Sequence, residues 1–335
     1  MTPPRPRAAP NVGDGPSVSV ALCTHQSERF LDDQLASILH QTVDAREVVV
    51  SDDASTDATV EIVARHARES RIPVRLVSTL EAGGVVPNFE RAVRACLGDV
   101  VALADHDDVW TPERLARGVA PLLGESRPAL SFSDAILIDA EGNATGARLF
   151  ASLLLRARER SAIVDGRAID VLVRRNVVTG ATVIANRALL EAALPFPDSW
   201  VHDEWLAAIA ASIGALHLID EPLIGYRLHG GNAIGVDEPT VRARFRRMLR
   251  PRGGRHRDLA SKYADLHRRL RQIGANESVL RLVEKKTRFE TARSGYPDVR
   301  FARIAPIARQ AIAGRYRRLS SQGNWDIVRD LLQPS

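Results

Sequence analysis

Two cysteines occur in the 335 residues, Cys23 and Cys96, and both lie inside apolar runs. A disulfide scaffold is therefore not what holds this chain together, and buried free thiols in a reducing compartment are expected. No stretch approaches the ~18 to 20 uninterrupted apolar residues of a membrane-spanning helix. No Gly-x-Gly-x-x-Gly follows the first apolar run, where the chain reads Thr24-His25-Gln26-Ser27-Glu28. That absence removes a dinucleotide-dependent dehydrogenase. Residues 1–16 are rich in Pro, Gly and Arg without an apolar core, and read as a disordered lead-in, neither a signal peptide nor a strand. There are no internal repeats. What is present is an ordinary globular composition, 45% hydrophobic and 26% charged, in a chain long enough to bury a full core.

The formal net charge of +5 hides an asymmetry. Residues 241–335 carry 24 Lys+Arg against 8 Asp+Glu, a surplus of +16, which leaves −11 on the remainder. An acidic body with a basic tail implies two different partners. The tail lacks interleaved aromatics, zinc-ligand spacing and any helix-turn-helix pattern, and the acidic body opposes a polyanion, so no nucleic acid is expected. Apolar positions at Leu259, Tyr263, Leu266, Leu270 and Ile273, then at Val279, Leu282, Val283 and Phe289, predict two helices broken at Gly274-Ala275-Asn276. Arg-rich helices with one apolar face suit an anionic membrane surface, or a homodimer contact.

Earlier in the chain, apolar runs alternate with amphipathic periods. Strands are expected over 17–23, 47–50, 74–77 and 100–104, with helices over 30–40, to about Ser70 after the capping residues Ser55-Thr56-Asp57, and over 88–96. Strands alternating with such helices predict a parallel α/β sheet covered on both faces. Ligands bind such sheets at the carboxyl ends of the strands. The polar clusters Thr24-His25, Asp52-Asp53 and Asp105 to Asp108 all fall there. After Gly124 the pattern loosens to a strand over 129–138, helices over 168–174, 188–193 and 203–213, and strands over 216–219 and 223–228.

The segment Asp105-His106-Asp107-Asp108 is the densest chemical signal. Asp-x-Asp at a strand tip points two carboxylates to the same side of an extended backbone. Such a pair in a cleft calls for a hard divalent cation, Mn²⁺ or Mg²⁺, with positions left open for a diphosphate. Thr111-Pro112 reads as the N-cap and first turn of the next helix, and Asp108 as a second cap for it.

With those residues in place, the chain resembles a family 2 glycosyltransferase of the GT-A (nucleotide-diphospho-sugar transferase) fold. The resemblance rests on residues 18–24, Leu35-Ala36-Ser37-Ile38-Leu39-His40-Gln41-Thr42, residues 48–57 and the Asp105-His106-Asp107 signature. Val201-His202-Asp203-Glu204-Trp205, Tyr226-Arg227-Leu228-His229-Gly230-Gly231-Asn232 and Gly314-Arg315-Tyr316-Arg317-Arg318 resemble its rhamnosyltransferase-like branch. It covers about residues 17–233. It implies a mixed, mainly parallel sheet in a domain over 17–235, followed by a basic helical extension over 236–335. The implied activity is inverting, metal-dependent transfer of a sugar, in that branch from dTDP-rhamnose, to a saccharide or lipid-linked acceptor of a cell-surface polysaccharide. The alternatives are a catalytically silent sugar-nucleotide-binding protein and, behind it, a nucleic-acid-binding protein that uses the basic tail. The implied place is the cytoplasm, peripheral to the inner face of the cell membrane.

The resemblance also implies roles. Asp107 is the metal ligand, Asp105 faces the ribose or a metal-bound water, Asp53 meets the nucleobase, and Thr24 lines the same slot. His229 contacts metal or diphosphate through the Tyr-Arg-x-His pattern. Arg227 neutralises phosphate or pairs with a carboxylate of the body. Gly83-Gly84 and Asn88 lie where backbone approaches the nucleotide, or form a plain loop. Asp203, at a helix N-terminus that favours its ionised form, is the candidate base, with Glu204 as substitute. Trp200 and Trp205 stack on a sugar or belong to the core.

Overall fold

The computed structural model describes residues 15–229 and 253–334. The lead-in over 1–14, the turn Gly230-Gly231-Asn232 and the first part of the basic extension lie outside them. The expected strand–helix alternation forms in order. It runs β1 (Val18–Thr24), α1 (Leu31–Leu39), β2 (Glu47–Asp52), α2 (Thr59–Glu69), β3 (Val74–Ser78), α3 (Val85–Ala95) and β4 (Val100–Asp105). A two-residue β5 (Val109–Trp110) and α4 (Arg114–Val119) follow, then β6 (Ala129–Ile138) and β7 (Ala144–Arg148). Three short helices, α5 (Leu149–Ser152), α6 (Ala157–Val164) and α7 (Ala168–Leu172), lead to β8 (Val183–Asn186), α8 (Arg187–Ala193), α9 (His202–Ile213) and β9 (Ala215–Arg227).

One nine-stranded sheet results, in the order β3-β2-β1-β4-β8-β6-β9-β5, with β7 paired to β6. Strands β1 to β4 are mutually parallel, as is β6 with β9, whereas β8 runs antiparallel to both of its neighbours. The sheet is thus mixed. β1 and β2 are buried along their whole length because helices cover both faces, which is why they read as continuous apolar runs. Two apolar clusters sandwich the sheet. One holds Val20, Leu22, Val48 and Val50 beneath α1, the other Ala21, Val49, Leu103 and Phe132 beneath α3 and α9. Cys23 and Cys96 are buried and free, as expected, and burial pushes the Cys96 thiol up to about 12.

Three local expectations need correction. The separate strands at 216–219 and 223–228 are one strand, β9, whose register against β6 shifts at Pro222. Proline removes a ladder donor there and costs a bulge, but does not end the strand. Thr111 does not cap α4, which begins at Arg114. Its amide instead donates to Leu223 O on β9 at 3.0 Å, and its hydroxyl is buried without a partner among the described residues. Asp108 does not cap that helix either, because pairing of β5 with β9 brings the Arg227 N–H onto its carboxylate at 3.0 Å.

The predicted hairpin is present as α10 (Arg255–Gln272) and α11 (Glu277–Ser294), with Gly274 in the left-handed region at φ +73°. Beyond it lie α12 (Ile304–Ile312), α13 (Arg315–Leu319) and α14 (Trp325–Leu332). The hairpin's apolar residues join the cluster under α9, while its other side encloses charge. Glu290 accepts from Lys286 Nζ at 2.7 Å and pairs with His256 Nδ1 at 2.7 Å. Arg293 forks onto Asp330 at 2.7 and 2.8 Å, and the Tyr316 hydroxyl donates to the same carboxylate at 2.7 Å. Burial opposes the charge on Glu290, but Lys286, His256 and Arg293 outweigh it and hold the carboxyl well below its usual range. Asp330 is likewise lowered, since Arg293 and Tyr316 overcome its burial. Burial lowers His256.

All three groups titrate lower folded than unfolded, so the unfolded chain takes up protons first as pH falls. Stability is expected to be full above about pH 6.5 and to drop progressively below it, first through His256 and then through the carboxylates. Urea midpoints measured from pH 7.5 down to pH 4.5 check this, and a flat profile would contradict it. Glu290→Gln, which leaves Lys286 and Arg293 facing a neutral amide, should cost about 3 kcal/mol at neutral pH.

Candidate active site

The carboxyl ends of β1, β2 and β4 converge at the crevice where strand order reverses on either side of β1. Thr24 ends β1 and donates from Oγ1 to Asp52 Oδ1 at 2.7 Å. Asp52 also accepts from the Ser55 amide and hydroxyl at 2.9 and 2.6 Å. Asp52 therefore closes the turn, and Asp53 is released toward the neighbouring loop. Its carboxylate accepts from Gly83 N at 2.9 Å and Gly84 N at 2.8 Å, with Gly84 at φ +88°. Asp53, expected at the nucleobase, thus braces the Gly83-Gly84 backbone. Asn88 donates to Thr24 O at 3.1 Å and is itself held by Arg91 at 2.7 Å. Thr24, Asp53, Gly84 and Asn88 form one hydrogen-bonded wall.

Opposite that wall lies the acidic cluster. Burial, then Asp107 and Asp203, raise Asp105 to about 8. Burial and the same acidic neighbourhood push Asp108 well above its ordinary value, and its Oδ2 has no partner among the described residues. Asp107 Oδ2 and His229 Nε2 lie 2.7 Å apart, bringing together two groups separated by 122 positions. His229 is set by Phe30, whose ring centre is 5.1 Å away. Arg227 is buried under the Asp107-Asp108 turn, donating from Nε to Asp107 O at 2.7 Å and from Nη1 to Ala140 O at 3.0 Å. These bonds shape the turn, and the guanidinium also lies 3.9 Å from the Asp33 carboxylate, the pairing with a carboxylate of the body that was one of its two expected roles.

Asp203 enters from the first turn of α9. Its Oδ2 accepts from Gly180 N at 2.9 Å and its Oδ1 from Glu204 N at 2.6 Å. A Cβ on Gly180 would meet His202 Nε2 at 2.8 Å, so a larger residue in this donor turn would displace the His202 ring. The helix N-terminus was expected to keep Asp203 ionised. Burial outweighs it and the two amide bonds, raising the carboxyl to about 7. His202 stacks on Phe89 at 3.8 Å and burial lowers it to about 3, so it stays neutral beside Asp203. Glu204 is ion-paired with Lys262 of α10. The same lysine lies 4.4 Å over Trp200, whose indole N–H donates to Lys262 O at 2.9 Å. Trp200 and Trp205 are core residues.

Several contributors were not singled out from sequence. Gln34 donates to Asp105 O at 2.7 Å from the buried face of α1, and its polarity between Leu31 and Leu35 is the signal that could have revealed it. Arg114, fully buried and 4.3 Å over Trp110, donates to Ala181 O at 2.7 Å and Leu103 O at 3.2 Å. It thereby ties the strand of Asp105 to the turn that holds Asp203. Lys262 and Gly180 are too far away in sequence to be linked with Glu204 and Asp203 without the fold.

The donor set suits a small oxygen-seeking cation. One carboxylate and one imidazole sit side by side, and a second carboxylate is near enough for Asp107 to raise it. Among the described residues no three or more His, Cys, Asp or Glu side chains form a closed cage. A cation here would draw its remaining ligands from a diphosphate and water.

Comparison with known proteins places the fold and part of the chain. The structure resembles that of residues 1–349 of S. aureus TarS in complex with UDP-GlcNAc, with TM-score 0.55 at 16% identity, over 94% of this chain and 88% of that one. The fold is that of the GT-A glycosyltransferases. Residues 19–132 match the model of Glycosyl transferase family 2, and the chain carries a domain of that family. It is 30% identical over 142 residues to EpsE of Bacillus subtilis, a glycosyltransferase by name, covering 42% of this chain and 51% of EpsE. It is 30% identical over 129 residues to the O-antigen biosynthesis protein RfbC of Myxococcus xanthus, covering 38% of this chain and 10% of RfbC. The chain thus spans about half the length of EpsE and about a tenth of that of RfbC.

Proposed function

We propose that the chain transfers a sugar from a nucleotide-diphosphate donor to a saccharide or lipid-linked acceptor by inverting displacement, in the building of a cell-surface polysaccharide. The observation that carries this reading is the meeting of Asp105, Asp107 and His229 with Asp203 at one end of the sheet. The names of EpsE and RfbC support it.

The wall of Thr24, Asp53, Gly84 and Asn88 receives the nucleoside, and Asp105 faces the ribose. Asp107 and His229 would hold Mn²⁺ or Mg²⁺, which when bound supplies Lewis-acid stabilisation of the departing diphosphate. Asp203 takes the proton of the acceptor hydroxyl as that oxygen attacks the anomeric carbon from the face opposite the diphosphate. A carboxyl raised to about 7 is a stronger base than an ordinary aspartate, and it is still substantially ionised near neutral pH. Glu204, engaged by Lys262, orients the acceptor side and does not compete for that proton.

Thermal unfolding measured with Mn²⁺ against UDP-GlcNAc, GDP-mannose and dTDP-rhamnose tests the reading. One donor should raise Tm by several degrees at saturating concentration, with no effect from NADH or single-stranded DNA. Transfer must then give the anomer opposite to that of the donor. Donor binding with neither transfer nor hydrolysis would favour a silent binding protein.

A further inference from the structure

The last helices of the chain are built inside out. On α14 the inward side carries Asp326, Arg329, Asp330 and Gln333, all buried, while Trp325, Val328 and Leu332 point outward at i, i+3 and i+7. Only Ile327 and Leu331 of its apolar residues touch the core cluster. On α12 Arg303, Ile307 and Gln310 face inward, and Ile304, Ala305, Ala308 and Ile312 face outward. Phe301, in the turn before α12, is also exposed. The exposures are large: 89% for Ile312, 84% for Phe301 and 73% for Trp325. α12 and α14 pack against one another, so these residues lie on neighbouring elements. A solvated helix turns the other way, with charge outside and apolar side chains within.

Most of the inward polar groups are satisfied, although the buried Arg329 Nε has no partner among the described residues. Asp330 has Arg293 and Tyr316, Asp326 has Arg329 at 3.2 Å, and Arg303 donates to Gln333 O at 2.6 Å. The arrangement is therefore a stable one, and the outward apolar face is what lacks a counterpart among the described residues.

The charge around that face selects the counterpart. Within 295–334 the exposed charged residues are Arg300, Arg309, Arg315, Arg317 and Arg318, against Asp298 alone. A second copy of the chain would set five arginines against five across a two-fold contact. An anionic bilayer complements both features, taking aromatic and aliphatic side chains at the headgroup boundary and arginines on its phosphates. We propose that the outward faces of α12 and α14, with Phe301, form a peripheral docking surface for anionic lipid. No helix among the described residues is long and apolar enough to cross a membrane. A lipid-borne acceptor would then lie at the surface to which the enzyme is docked.

The test uses the full chain with vesicles of phosphatidylglycerol and phosphatidylcholine at about 1:2, and with phosphatidylcholine alone. It needs neither donor nor acceptor, so its outcome is separate from that of the transfer reaction. Co-sedimentation is expected to be at least about tenfold stronger on the anionic vesicles, and reversed by about 0.5 M salt. Of the four tryptophans only Trp325 is exposed, so its emission should shift to the blue on binding. Ile312→Glu with Trp325→Glu, at positions whose side chains stand in solvent, should cut sedimentation tenfold or more while circular dichroism and Tm stay unchanged. Equal binding to both vesicles, no binding, or binding unaffected by the double substitution would each overturn the proposal. So would a dimer in light scattering that the double substitution dissociates while no vesicle binding is seen, which would give the face to a second copy.

Discussion

Asp107→Asn is expected to lower sugar transfer by about a hundredfold or more, with the fold intact. The substitution keeps the volume but removes the charged partner of His229, 2.7 Å away, and with it one of the two residues assigned to the cation. A Lewis acid contributes several kcal/mol to expulsion of a diphosphate, and about 2.7 kcal/mol is a factor of one hundred. EDTA should reproduce the loss in the wild-type chain, and excess Mn²⁺ should reverse it there but not in the variant. Activity insensitive to EDTA, together with a fully active Asp107→Asn, would remove the metal from the reaction. Unchanged circular dichroism distinguishes this from unfolding, because Arg227 shapes the turn through the Asp107 carbonyl, which the substitution leaves in place.

Asp203→Asn is expected to reduce kcat by about 10² to 10⁴ while the donor Kd stays within about twofold. The amide oxygen can still accept from Gly180 N, so the turn keeps that bond, while the bond from Glu204 N and the proton acceptor are lost. A rise in donor Kd with little change in kcat would make Asp203 a binding residue. A dead Glu204→Gln beside an active Asp203→Asn would move the base by one position, despite the ion pair that engages Glu204.

The sheet was legible wherever burial left an uninterrupted pattern. β1, β2 and β4 are covered on both faces, so they announce themselves as runs of Val, Ala and Leu ending in polar residues. β8 has four residues and β5 two, and no period can be read from so few. Asp105, Asp107 and Asp203 were readable because a carboxylate at a strand tip or helix start carries a local meaning. Their mutual effects were not, since the sequence says nothing of how near Asp203 comes to Asp105 or how dry it is. The ionised base expected from the helix N-terminus became a carboxyl raised to about 7 for that reason. Asp53 and Arg227 show the same limit. Each has a plausible ligand by type, and each is engaged with protein backbone once the loops close. The inside-out helix α14 was not read from the sequence, because the inward place of Asp326, Arg329 and Asp330 depends on Arg293 and Tyr316 standing beside Asp330.

The two thiols have a practical bearing. Cys23 and Cys96 are enclosed in the same apolar cluster, and burial holds both well above the range in which a thiolate forms at neutral pH. Alkylating reagents attack thiolates, so the native fold is close to silent toward maleimides and iodoacetamide. A cysteine introduced at the surface, for instance Val328→Cys on α14, becomes the preferred point of attachment without deletion of either natural thiol. A spin label or fluorophore there would report depth and orientation at a lipid surface from an otherwise unaltered chain.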